Sequence, residues 1–81
     1  MSSIFNNVCD NIIYMEKFIE RLKELREENK LSQAKLAKAT GISQSAIGFW
    51  ETGKRIPNAL AIITLARFFE VSTDYLLGEE D

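Results

Sequence analysis

Residues 31–58 read LSQAKLAKATGISQSAIGFWETGKRIPN, and this stretch decides the fold. Ser32 is a good N-cap, so a helix is predicted from Gln33 to Thr40. Gly41 tolerates positive φ and ends it. Ser43 caps a second helix, Gln44 to Glu51, and Gly53 closes that one. Leu36 and Ala37 face inward from the first of the pair. Ala37 is small because the two helices must cross closely there. Ile42 plugs the core behind the turn. Ile47 and Trp50, with Ala46 beside them, form the buried stripe of the second helix. By subtraction, Gln44, Ser45, Gly48, Phe49 and Thr52 point outward.

The flanking sequence is also helical. From Glu16 to Asn29, Phe18, Ile19, Leu22 and Leu25 recur at intervals of 3 and 4, one face of an amphipathic helix. After Lys54-Arg55-Ile56-Pro57, Asn58 caps a helix running through Phe69. Ser72 caps a short fifth helix, Thr73 to Leu77, which Gly78 stops. There is one proline, and no stretch alternates with period two, so strands are not expected. In 81 residues this makes one compact all-α domain of five helices. Ile62, Leu65, Ala66 and Phe69 of the fourth helix can face the core. That leaves Leu60, Ile63 and Phe68 in need of cover. Upstream, Ile4, Val8, Ile12 and Met15 step by 4, 4 and 3. Residues 1–15 therefore either extend the first helix, form a separate one capped by Asp10, or are a disordered arm.

Composition narrows the function. There is no histidine, the commonest general base and metal ligand, and Cys9 is the single cysteine. Neither catalysis, metal binding nor a cofactor is expected. No apolar run reaches the length of a membrane span, and Met1 to Met15 lacks the positive charge of a secretory signal. A reducing, cytoplasmic setting follows as the expectation. The formal net charge is −2, which at first argues against nucleic acid. Yet the charge is uneven. Residues 31–67 carry Lys35, Lys38, Lys54, Arg55 and Arg67 against Glu51 alone, whereas residues 68–81 carry Glu70, Asp74, Glu79, Glu80 and Asp81 with no cation.

The outward face of Gln44–Glu51 has the chemistry of a helix that reads DNA. Glutamine pairs bidentately with adenine in the major groove, serine bonds base or phosphate, and an apolar edge meets a thymine methyl. The positive end of the helix favours phosphate. Two short helices joined by a three-residue turn with Gly first are the helix-turn-helix arrangement. The motifs L-S-Q-x-x-L-A, G-I-S and I-x-x-W-E-x-G-K-R-x-P occur in order here, continued by LARFFEVSTDYLLG. Over about residues 17–78 the chain resembles the Cro/repressor-type helix-turn-helix family of phage and bacterial regulators. The resemblance implies a lambda-repressor-like fold, residues 16–78 as the DNA-binding domain, and 79–81 as an acidic tail.

It also implies roles. Ser43, Gln44, Ser45, Gly48 and Phe49 occupy the positions where the family reads bases. Gln33 is placed to touch a phosphate and brace the second motif helix. Thr52, Lys54, Arg55 and Asn58 lie where the family holds the DNA backbone. Arg26 and Glu51 occupy positions that commonly form a partly buried ion pair. Two positions depart from the pattern. Gly48 replaces the larger polar residues often found there, so either the backbone approaches DNA closely or no base is contacted. Phe49 is unusual outward, either meeting a thymine methyl or packing on a neighbouring side chain. The resulting expectation is a sequence-specific double-stranded DNA-binding regulator, a repressor acting by steric occupancy of a palindromic operator. A homodimer is expected, with Leu60, Ile63, Phe68, Tyr75 and Leu77 as its candidates; either the dimer partner or the N-terminal extension could cover the exposed residues of the fourth helix. The alternative is an antitoxin-like or accessory DNA-binding module working with a separate partner protein. A protein-interaction bundle that binds no DNA is a further rival.

Overall fold

A computed structural model describes residues 3–80, and their side chains from Met15 onward. Five helices follow in order: α1 Ser3–Glu28, α2 Gln33–Thr40, α3 Gln44–Glu51, α4 Ala59–Phe69 and α5 Thr73–Leu77. No strand occurs among the described residues. The first helix runs unbroken from Ser3 past Asp10, so Asp10 caps no separate helix. The apolar stripe Ile4, Val8 and Ile12 lies outside the described side chains.

Local capping explains where α2 to α5 begin. The side chains of Ser32, Ser43, Asn58 and Ser72 accept from the backbone N–H groups of Lys35, Ala46, Ala61 and Tyr75. Each bond satisfies a donor that the helix cannot satisfy itself, and stabilises by about 1 kcal/mol. Gly41, at φ 80°, ends α2 in the left-handed region and donates its N–H to Ala37. That sharp stop lets Ser43 start α3 two residues later.

The core gathers one face from every helix. Phe18, Leu22 and Leu25 of α1 meet Leu36 of α2, Ile47 and Trp50 of α3, Ile62, Leu65 and Ala66 of α4, and Leu76 of α5. The Phe18 and Trp50 rings pack edge to face, with centroids 6.4 Å apart. Ala37 and Ile42 pack against this cluster, as the turn requires. Helices α2 and α3 lie against each other, α3 also meets α1, and α5 packs on α1 and α4.

Arg21 ties α1 to α5 and to the segment after it. Its Nη1 donates to the carbonyls of Tyr75 (2.6 Å) and Glu80 (2.5 Å), and its guanidinium lies 4.2 Å above the Tyr75 ring. The Tyr75 carbonyl, in the last turn of α5, thereby gains a cationic donor, which the helix dipole favours.

Candidate nucleic-acid interface

Helix α3 presents one side to the core and the other to solvent. Ile47, Trp50 and Glu51 are buried, whereas Ser43, Gln44, Ser45, Phe49 and Thr52 are exposed. Gln33, Gln44, Ser45, Gly48, Phe49, Thr52 and Lys54 line one open concavity of about 390 Å³. Its lining includes no acidic side chain. Seven of the expected contact residues thus share a single surface, drawn from α2, α3 and the loop after α3.

The remaining expected residues sit differently. Ser43 is committed to its cap, accepting from Ala46 N–H at 3.1 Å. Asn58 caps α4 through its side-chain oxygen, at 2.8 Å from Ala61 N, and lines a separate depression with Thr40, Ile42 and Leu60. Arg55 stands beside the concavity with its guanidinium 5.3 Å from the Phe49 ring centroid. Within the concavity, Thr52 turns its hydroxyl back onto the Gly48 and Phe49 carbonyls, at 3.0 and 3.3 Å. To donate to a phosphate it must release that bond.

Beneath the concavity lies a buried charge pair. Arg26 donates from Nε to Glu51 Oε2 (2.7 Å) and from Nη2 to Glu51 Oε1 (2.9 Å). The Glu51 side chain is only 3% exposed. Arg26 Nη1 also donates to the Leu31 carbonyl at 2.9 Å, tying α1 to the chain entering α2. Bidentate geometry of this kind is the strong form of the interaction. The hydrogen bond to Glu51, chiefly, raises the Arg26 pKa above its ordinary value while burial opposes it, so the guanidinium stays charged. Gln33 Nε2 donates to Glu51 Oε1 at 3.0 Å. This contact was not foreseen, although Gln33 was expected to brace α3. One carboxylate on α3 therefore fixes α1 through Arg26 and α2 through Gln33.

Gly48 leaves the concavity open. A Cβ there would meet nothing closer than Gln33 Oε1 at 3.5 Å, an ordinary contact. Packing within the chain does not demand glycine at this position.

A sequence profile of the helix-turn-helix family matches residues 22–76. The chain belongs to that family, in its Cro/C1-type branch. The family binds double-stranded DNA. The chain is 38% identical over 64 residues to the HTH-type transcriptional regulator YobD of Bacillus subtilis, covering 79% of this chain and 57% of YobD. It is 38% identical over 58 residues to repressor protein C2 of Salmonella phage P22, covering 72% of this chain and 27% of the repressor. It thus spans little more than half of one relative and about a quarter of the other. The crystal structure of the restriction-modification controller protein C.AhdI from Aeromonas hydrophila is similar over 76% of this chain and 94% of that one. Its TM-score is 0.70, at 35% identity. Among the described residues no helix is long and apolar enough to cross a membrane.

Proposed function

We propose that the chain is a sequence-specific transcriptional regulator that acts as a repressor, placing α3 in the major groove of an operator. The observation that carries this reading is the single concavity uniting Gln33, Gln44, Ser45, Gly48, Phe49, Thr52 and Lys54 around an α3 whose one acid is buried. In this reading Ser43, Gln44, Ser45, Gly48 and Phe49 face bases. Gln33, Thr52, Lys54, Arg55 and Asn58 hold the backbone. The N–H groups of the first turn of α3 that its cap leaves free add a phosphate site. Binding blocks polymerase or alters its recruitment, and no bond is made or broken, so the chain acts in the cytoplasm as a binder and not an enzyme. Residues 16–78 form the DNA-binding unit, 1–15 an extension and 79–81 an acidic tail.

The homodimer belongs to the same proposal. Leu60 is 72% exposed, Ile63 40% and Phe68 39%, all on α4, and Ile56 before it is 71% exposed. A second copy gives these side chains cover. Tyr75 and Leu77 are partly buried against the chain's own core, so they contribute edges to such a contact. Two copies would read half-sites about 10 bp apart, or a multiple of that.

The test is a titration of duplex DNA at several salt concentrations. Each phosphate neutralised adds about −0.9 to the slope of log K against log[salt]. Lys54→Ala with Arg55→Ala lowers affinity for all duplexes alike and makes the slope shallower by about two. A flat slope for the unaltered chain refutes the DNA reading. An unchanged slope in the double variant removes those two cations from the interface.

A further inference from the structure

Phe49 is the one large apolar side chain in the concavity, and the hydrophobic core does not cover it. It is 38% exposed on a face otherwise made of glutamines, serine, threonine, glycine and lysine. Ser45, one turn back on the same face, is too short to shield the ring. The Phe49 carbonyl accepts from Lys54 N–H at 2.8 Å and Arg55 N–H at 3.4 Å, so the loop after α3 folds back onto the Phe49 backbone. That fold brings the Arg55 guanidinium to 5.3 Å from the ring centroid. Among the described residues Arg55 joins no salt bridge, so its charge is left for an external anion. A phosphate bound by Arg55 would pin the guanidinium and, through it, one face of the ring.

An aromatic ring exposed on an otherwise polar surface gains from an apolar partner. Along the major-groove edges of the base pairs the apolar group is the methyl at C5 of thymine. Cytosine methylated at C5 carries the same group at the same ring position. We propose that Phe49, oriented by Arg55, reads the C5-methyl group of one pyrimidine per half-site. Binding then depends on that methyl and responds to cytosine C5-methylation at the same position. Phe49 is the specificity residue and Arg55 its positioning residue. The inference rests on α3 facing DNA as proposed above.

The probe is a fluorescent duplex enriched from random DNA by the full chain, read by anisotropy. Thymines are replaced one at a time by deoxyuridine, which deletes the methyl and leaves base pairing intact. Cytosines are replaced one at a time by 5-methylcytosine. Removing one buried methyl should weaken binding about fourfold at a single position per half-site. A 5-methylcytosine–guanine pair placed there should bind about fourfold more tightly than an unmethylated cytosine–guanine pair. The first arm reports thymine as the source of the methyl, the second methylcytosine. Phe49→Ala should bind the thymine and deoxyuridine duplexes equally. Arg55→Lys keeps the charge but loses the guanidinium over the ring, so affinity should fall on both duplexes while the thymine-to-uracil ratio falls toward one.

The inference is overturned if no single methyl changes binding by the unaltered chain, or if Phe49→Ala keeps the full methyl dependence. The second outcome would assign the methyl contact to a residue other than Phe49. A chain that enriches no duplex at all fails earlier, at the DNA reading itself.

Discussion

Removal of Arg26 probes both the fold and the site. In Arg26→Met the Glu51 carboxylate, 3% exposed, loses two of its three hydrogen bonds and keeps only the Gln33 amide. The Leu31 carbonyl loses its guanidinium partner as well. Stranding a buried charge in this way costs about 3–5 kcal/mol. A chain of this size has a total stability on the order of 5 kcal/mol. The single variant should therefore stand at the edge of unfolding in water at 25 °C. Arg26→Met combined with Glu51→Leu removes both charges and leaves a neutral amide and a carbonyl that water can serve, a loss of only about 1–2 kcal/mol. Urea denaturation followed by the fluorescence of Trp50 measures both, because that ring is 6% exposed and packed edge to face on Phe18. The double variant should be more stable than the single by about 1–4 kcal/mol. A single variant within about 1 kcal/mol of the unaltered chain would show that water already reaches Glu51. A double variant as weak as the single would show that the shape of the site matters and its charge does not.

Three further substitutions test the surface. Gly48→Ala should raise stability by about 1 kcal/mol, and the melting temperature by about 4–8 °C, because it gains helix propensity without a clash. Calorimetry checks this, and a lower melting point would refute it; a matching loss of DNA affinity would identify close backbone approach as the reason for glycine. Gln44→Ala should lose about 1–3 kcal/mol on the enriched site and relax one base preference, whereas a uniform loss across sequences would make Gln44 a backbone contact. Leu60→Glu with Ile63→Glu should leave folding intact and shift the chain toward monomer in sedimentation; an unchanged dimer would place the contact elsewhere.

The starts of α2 to α5 were legible because an N-cap is a local bond between a side chain and a backbone N–H three residues on. Gly41, Gly53 and Gly78 marked left-handed positions for the same local reason, at φ 80°, 78° and 85°. Lys30 and Glu70 also take positive φ, at 58° and 59°, and carried no such mark. There the helix ends are closed by Leu31 N–H to the Arg26 carbonyl and Val71 N–H to the Ala66 carbonyl. Each bond brings an apolar residue onto the core, so packing overrides the preference of the residue at the bend. The face of α3 followed from periodicity once Ile47 and Trp50 were set inside. What periodicity does not carry is contact between distant side chains. Arg21 reaches Tyr75 across 54 positions, and nothing in either local pattern links them. The pairing of Arg26 with Glu51 came from the family resemblance rather than from spacing.

The net charge of −2 ceases to oppose DNA binding once the acids are located. Glu51 is neutralised inside by Arg26 and lends no field to the surface of α3. Helix α5, which leads to Glu79 and Glu80, packs on α1 and α4, while α3 packs on α2 and α1. Glu80 is also held in place, through Arg21 to its carbonyl and through a hydrogen bond from the Ser72 hydroxyl to its carboxylate. At physiological salt a charge is screened beyond about 8 Å, so the potential met by DNA is set by side chains at the contact and not by the molecular total. In the proposed contact stand Lys54 and Arg55. A small basic surface on an acidic molecule has a further consequence. Long-range attraction to any duplex is weak, and affinity must come from close contacts that depend on sequence, so the charge distribution favours discrimination between sites over strength of binding to all of them.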